Sequence, residues 1–102
     1  MRFPSCTGRV AIGSIDGAVW IVHRSTIRQA RQERLADGCP VVRYWYVGSA
    51  DDKDYHTIYV QSEEQQRQMF HDVVFESSDV LYEWITGDDG SYHLRRTPDV
   101  CP

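Results

Sequence analysis

The pattern of hydrophobic and polar residues in the middle of the chain predicts two β-strands, Val41–Val47 and Tyr55–Gln61. β-branched and aromatic residues dominate both segments, and such side chains pack well on a pleated, half-buried surface. The segment Gly48–Asp54 between them holds turn formers and almost nothing to bury. We therefore expect the two strands to form a hairpin around which the rest of the chain is organised.

Alternation along the strands divides this hairpin into two faces. With pairing symmetric about the loop, Tyr44 lies opposite Ile58, Val42 opposite Val60, and Tyr46 opposite His56. These six residues suit a core covered by a helix, apart from His56. The opposite face carries Val41, Arg43, Trp45, Val47, Tyr55, Thr57 and Tyr59. A slip of one residue would regroup the two sets.

The second face of the hairpin has two interpretations. Its aromatic residues, with Arg43 and Thr57, are of the kind found at contacts with a partner. Large aromatic side chains are, however, mostly buried in ordinary domains. The alternative is therefore that this face is covered by the N-terminal segment or by a second subunit.

The N-terminal part of the chain predicts a hairpin followed by a helix. Gly8–Ile15 and Gly17–His23 form the hairpin, with Asp16-Gly17 as a tight-turn signal. A helix over Ser25–Asp37 is indicated by capping-box spacing at Thr26–Gln29 and by the stop that Gly38 and Pro40 provide. On that helix one basic stripe is expected at Arg24, Arg28 and Arg31. The stripe would suit a phosphate or an acidic partner, or is simply a solvated helix face.

The C-terminal part predicts a second helix and a third hairpin. Ser62–Gln65 is a capping box, and a helix from there is expected to end near Glu76. Its apolar stripe, at the period of a helix, consists of Met69, Phe70, Val73 and Val74. Val80–Ile85 and Tyr92–Thr97 form the hairpin, for which a short helix over Asp79–Trp84 is the rival. Residues 97–102 are predicted to be a loose tail.

From residue 17 onwards, the predicted order is strand, helix, strand, strand, helix, strand. This order is that of the split βαβ, or ferredoxin-like, α+β fold, here with an extra N-terminal strand. Both helices would cover one face of an antiparallel sheet and leave the other open. RNA-recognition domains stack bases on that open face. The stretch Lys53–Val60 lacks the glycines of their signature, so the prediction concerns topology and not family.

Composition limits the class of protein. A chain of 102 residues, 41% hydrophobic and 25% charged, predicts a single globular domain, residues 1–102. No apolar run reaches the length of a membrane span, and the N-terminus lacks the apolar block of a secretory signal, so a cytoplasmic location is expected. Three cysteines argue against a disulfide framework.

Charge is distributed unevenly along the chain. Residues 1–50 carry a net charge of +4 and residues 51–102 a net charge of −8. Such a split favours a charged partner, or two segments that complement each other within the fold. The acidic loops, with Asp51, Asp52 and Asp54 in one and Asp88 and Asp89 in another, could steer a basic partner.

Candidate catalytic chemistry is sparse. The reactive side chains are His23, His56, His71, His93, Cys39 and Asp72, and none lies in a motif that fixes its geometry. We therefore expect no metal and no cofactor, and we prefer a binding protein to an enzyme as the interpretation.

The sequence therefore favours a binding protein over an enzyme. The expected site consists of Arg43, Trp45, Tyr55, Thr57 and Tyr59 with the acidic loop Asp51, Asp52 and Asp54. Size and composition are typical of bacterial or phage accessory proteins that inhibit or adapt a larger protein machine. A protein is the preferred partner. Single-stranded nucleic acid, bound by Arg43, Trp45, Tyr55 and Tyr59, is the second interpretation, and a homodimer is compatible with the same face.

Overall fold

The computed structural model describes residues 8–14, 16–76 and 78–98, and its architecture is α+β. The strands are β1 (Arg9–Gly13), β2 (Val19–His23), β3 (Ile27–Arg34), β4 (Pro40–Tyr46), β5 (His56–Tyr59), β6 (Val80–Thr86) and β7 (Tyr92–Pro98). The α-helix is α1 (Glu63–Val74). One sheet is mixed, in the order β2-β1-β6-β7, and the other is antiparallel, in the order β3-β4-β5.

The described residues divide into two compact units. The first comprises those up to Arg24 together with those from Glu76 onwards, and it contains the mixed sheet. The second runs from Ser25 to Phe75 and contains the antiparallel sheet and α1. That the whole chain is a single domain stays a prediction.

Two hairpins joined side by side build the first unit. β1 pairs antiparallel with β2 and parallel with β6, which in turn pairs antiparallel with β7. The register places the buried side chains on one face of this sheet, and they are Val10, Ile12, Val22, Val80, Tyr82 and Leu94. Both predicted hairpins are confirmed.

The turn of the first hairpin explains its Asp-Gly sequence signal. In the first, Gly17 adopts a φ of 91°, and the Asp16 carboxylate accepts hydrogen bonds from the Ser14 hydroxyl and the Ala18 N–H. These bonds favour the charged form and lower the pKa of Asp16 below its usual value. The second hairpin excludes the rival short helix over 79–84.

The predicted tail overlaps the last strand. β7 includes Thr97 and Pro98, and residues 99–102 lie outside the described part of the chain.

The predicted helix over Ser25–Asp37 is wrong. After one 3₁₀ turn at Arg24–Thr26, the segment forms β3, which pairs along its length with β4. The glycine that was expected to stop a helix closes a hairpin instead. Gly38, at a φ of 89°, donates its N–H to the Leu35 carbonyl, and Leu35 donates to the Cys39 carbonyl. As a helix, this segment would have few apolar side chains to bury. Pairing with β4 instead gives its backbone groups hydrogen-bond partners.

This change removes the basis for the ferredoxin-like prediction. That fold needs two helices on one sheet, whereas the described residues contain one α-helix and two sheets. The basic helix face predicted at Arg24, Arg28 and Arg31 is wrong for the same reason, because Arg24 lies in the 3₁₀ turn and the other two lie on β3.

The central hairpin is confirmed, but its register differs from the prediction. Val42 lies opposite Ile58, and Tyr44 lies opposite His56. The pairing is therefore shifted by two residues from the symmetric one. A shift of two keeps every side chain on its predicted face, because alternation along a strand has a period of two.

Helix α1 is confirmed, and its start is capped as predicted. The Ser62 hydroxyl accepts a hydrogen bond from Gln65 N–H at 3.2 Å, and the Gln65 side chain accepts from Gln61 N–H at 3.0 Å. The helix packs against β3 and β4, with four buried residues, Gln66, Met69, Asp72 and Val73. No helix in the described part of the chain is long and apolar enough to cross a membrane.

We expect Ser62→Ala to lower the free energy of unfolding by about 1 kcal/mol, because the Gln65 N–H loses its capping acceptor. Urea denaturation followed by circular dichroism measures this difference. Ser62→Asp is the matched control and should unfold close to wild type, because aspartate also caps helices well. A Ser62→Asp variant as unstable as Ser62→Ala would contradict a capping role.

Candidate functional site

One face of the antiparallel sheet brings together arginine and aromatic side chains from all three strands. The register places on it Arg31 and Glu33 from β3, Arg43 and Trp45 from β4, and Tyr55, Thr57 and Tyr59 from β5 and the residue before it. We call these seven residues the arginine–aromatic face. Five of them were expected from the sequence, whereas Arg31 and Glu33 join because β3 is a strand.

Trp45 is a buried member of this face. Its side chain is only 3% exposed, although the sequence suggested a contact residue. The guanidinium carbon of Arg31 lies 5.3 Å from the centre of the Trp45 ring, and the ring of Tyr55 meets it edge-on at 5.9 Å. The indole N–H donates a hydrogen bond to the Asp52 carbonyl at 2.9 Å. Trp45 therefore anchors the β4–β5 loop.

Arg43 holds Tyr55 in position. Its guanidinium carbon lies 4.5 Å from the centre of the Tyr55 ring, within the range of a cation–π contact. The same guanidinium forms an ion pair with Glu33, and both side chains are about three-quarters buried. Because its charge is already paired, Arg43 offers little net positive potential to a phosphate.

The accessible part of the face consists of two tyrosines and Arg31. Tyr59 is 61% exposed and Tyr55 41% exposed, while Thr57 between them is half-buried. Tyrosine gives a large, rigid contact area with a polar end and is enriched at protein interfaces. The side chain of Arg31, 57% exposed, borders the same area.

The acidic loop lies beside these tyrosines in sequence and is tied to the sheet by Trp45. Asp51, Asp52 and Asp54 are all exposed, and the Asp52 side chain reaches 83% exposure. Within the loop, the Asp51 carboxylate accepts from Lys53 N–H at 2.9 Å, and Asp54 N–H donates to the Asp51 carbonyl at 3.0 Å. Arg28 approaches Asp52 at 3.4 Å. The loop therefore has a defined fold and presents negative charge.

The basic residues predicted to share a stripe have separate roles. Arg24 belongs to the first unit, where its guanidinium donates to the Ser78 carbonyl at 2.9 Å. Arg28 contacts the acidic loop, and Arg31 covers Trp45. No alternation of apolar and polar residues marks this segment as a strand, because Arg28, Gln32 and Arg34 are polar as well.

The side chains considered for catalysis have different neighbours. His56 contacts the rings of Tyr44 and Tyr46, with centroids 5.2 and 5.0 Å away. Burial raises the pKa of the Tyr44 hydroxyl far above its usual value, so it stays neutral. His71 contacts Phe75, and His93 contacts Ser91.

His23 lies at the end of β2, and Cys39 and Asp72 complete this set. The Cys39 thiol is exposed beside Asp37, which raises its pKa and so disfavours the reactive thiolate. Asp72 is buried in α1. Within the described ranges, no group of three or more His, Cys, Asp or Glu side chains could hold a metal ion.

No protein family, curated protein or solved structure matches this chain.

Proposed function

We propose that this chain is a binding protein that contacts a protein partner through Tyr55, Thr57, Tyr59 and the acidic loop. The observation that carries the proposal is the pair of exposed tyrosines, 41% and 61% accessible, on a sheet face that is otherwise held in place by ion pairs and ring contacts. Rigid, exposed aromatic residues lose little entropy on binding and often act as the energetic anchors of an interface.

The partner's surface should carry basic side chains around an apolar patch. Asp51, Asp52 and Asp54 against Lys53 give the loop a net charge of −2. Such a loop accelerates encounter with a basic surface and repels an acidic one. In this proposal the chain occupies a basic site on a larger protein assembly and so modulates that assembly, as small bacterial or phage accessory proteins do.

Single-stranded nucleic acid is the alternative ligand, and two observations weigh against it. The Trp45 ring is buried and one of its contacts is already Arg31, so it cannot stack on a base without rearrangement. The exposed aspartates would repel phosphates, and Arg43 is paired with Glu33.

Fluorescence anisotropy of labelled single-stranded RNA, single-stranded DNA and duplex tests this alternative. We expect no binding by up to about 50 µM protein at low salt, where electrostatic attraction is strongest. Binding to single strands that fades with salt and with Tyr59→Ala would replace the protein partner by nucleic acid.

Site-specific photocrosslinking tests the protein partner directly. A benzophenone amino acid in place of Tyr59 should crosslink a defined protein in an extract of the source cells, which mass spectrometry identifies. The same replacement at Phe75 is the matched control, because Phe75 is 66% exposed and lies in the same unit outside the face. Equal crosslinking from both positions would contradict the proposal.

With that partner in hand, Tyr59→Ala should weaken binding by roughly 30-fold, the size expected for an interface hot spot. Asp51→Asn with Asp52→Asn should mainly slow association, and the difference should shrink at high salt. Isothermal titration and stopped-flow fluorescence measure the two effects. Phe75→Ala should leave the affinity unchanged.

A further inference from the structure

Strand β2 lies at one edge of the mixed sheet and presents part of its backbone outward. Among the described strands it pairs only with β1. Hydrogen bonds from Ser14 N–H to the Ala18 carbonyl and from Arg24 N–H to the Gly8 carbonyl fix which residues face β1. Backbone direction alternates along an antiparallel strand, so the N–H and C=O groups of Val19 and Ile21 point away from β1.

The side chains of β2 offer no protection against pairing with another strand. Proteins usually guard sheet edges with charged residues, proline or very short strands. β7 carries Arg95 and Arg96, β3 carries Arg28, Arg31, Glu33 and Arg34, and β5 has only four residues. β2 has the sequence VWIVH, without a charged residue, and Val19 and Ile21 are 60% and 45% exposed.

We propose that β2 pairs antiparallel with β2 of a second copy of this chain, centred on Ile21. This pairing joins two mixed sheets into one continuous sheet of eight strands, and it uses no residue of the arginine–aromatic face. Ile21 of each copy then exchanges two backbone hydrogen bonds with Ile21 of the other, and Val19 lies opposite residue 23 of the second copy.

A second copy fits this edge because the edge is complementary to itself. Pairing about Ile21 matches odd residues with odd residues, so the exposed side chains of Val19 and Ile21 in both copies lie on the same face. The uncharged strand brings no like charges together. The acidic turn at Asp16 of one copy lies towards the end of β2 that leads into Arg24 of the other. A two-fold contact closes on itself, so assembly stops at two copies.

The contact is small, so the dimer is expected to be weak. One strand pair with three exposed apolar side chains, Val19, Trp20 and Ile21, falls below the size of a standard interface. A dissociation constant of roughly 10–100 µM is therefore expected. Sedimentation velocity between about 5 µM and 1 mM covers that range.

Ile21→Pro tests the backbone pairing. Proline removes the outward N–H, and a sheet edge tolerates it where the N–H does not serve the neighbouring strand. The dissociation constant should rise at least about tenfold, because both central hydrogen bonds are lost. Tyr92→Pro is the matched control, because Tyr92 lies on the opposite edge of the same sheet, is 46% exposed and also points its N–H outward. It should leave the dimer unchanged.

Amide hydrogen exchange in the wild-type protein tests the same pairing without a substitution. The Ile21 N–H should exchange more slowly as protein concentration rises through the dissociation constant, and the Tyr92 N–H should not. Four results would overturn the proposal. They are a monomer at about 1 mM, an unchanged dimer in Ile21→Pro, exchange at Ile21 that is independent of concentration, and assemblies that grow beyond two copies.

Discussion

Trp45→Ala should lower the free energy of unfolding by about 3–5 kcal/mol, the range found when a buried tryptophan or phenylalanine is truncated. Trp45 is 3% exposed, so its removal leaves a cavity beneath Arg31 and Tyr55. The indole N–H bond to Asp52 is lost as well. Urea denaturation followed by circular dichroism measures the change.

Two further variants separate the parts of this effect. Trp45→Phe keeps most of the buried ring but loses the bond to Asp52, so it should cost less and should speed amide exchange in the β4–β5 loop. Tyr59→Ala removes a side chain that is 61% exposed and should change stability by roughly 0.5 kcal/mol or less. A Trp45→Ala variant as stable as Tyr59→Ala would show that Trp45 is a surface residue.

Gln66→Glu should destabilise the second unit by roughly 3 kcal/mol at neutral pH. Gln66 is 7% exposed, and its side-chain amide donates to the Glu33 carbonyl at 2.7 Å and to the Val41 carbonyl at 3.0 Å. Those two residues pair between β3 and β4, so Gln66 fastens α1 to the sheet that carries the arginine–aromatic face. A carboxylate there would place negative charge against two carbonyl oxygens.

The destabilisation by Gln66→Glu should depend on pH. Burial and the two carbonyl oxygens favour the neutral acid, so the pKa of the new carboxyl is raised in the folded state above its ordinary value of about 4.3. A raised folded-state pKa means that stability is present below about pH 4 and is lost as pH rises through the folded-state pKa. Denaturation curves for the variant and wild type from pH 3.5 to 7.5 measure this.

Two controls distinguish charge from the loss of hydrogen bonds. Gln66→Leu removes the donor without adding charge and should cost about 1 kcal/mol at every pH. Gln68→Glu makes the same chemical change at an exposed position of α1 and should stay within about 0.5 kcal/mol of wild type. A Gln66→Glu penalty independent of pH would contradict the inferred burial of this side chain.

Local signals were sufficient where neighbours along the chain decide the structure. The capping residues Ser62–Gln65 and the apolar spacing that follows fixed α1. Turn residues such as Asp16-Gly17 fixed the hairpins. The division of the central hairpin into two faces also held, because it depends only on alternation and survives a shift of two residues.

The segment 27–34 shows where local signals fail. Its glutamines, arginines and glutamate are good helix formers, and the helical prediction rested on the capping-box spacing at Thr26–Gln29 and the stop at Gly38. As β3 it pairs with the full length of β4 and forms one edge of the sheet, where charged side chains are suited to solvent. Its backbone pairing with another strand overrides a propensity of a few tenths of a kcal/mol per residue.

By itself, then, the sequence determined the three hairpins, helix α1 and the membership of Arg43, Trp45, Tyr55, Thr57 and Tyr59 in one face. Only the tertiary structure decided that Arg31 and Glu33 join this face, that Trp45 is buried within it, and that Tyr55 and Tyr59 remain accessible. The physical reason is the separation along the chain over which each interaction acts. Alternation and capping act over a few residues, whereas burial depends on which distant segments pack against a side chain.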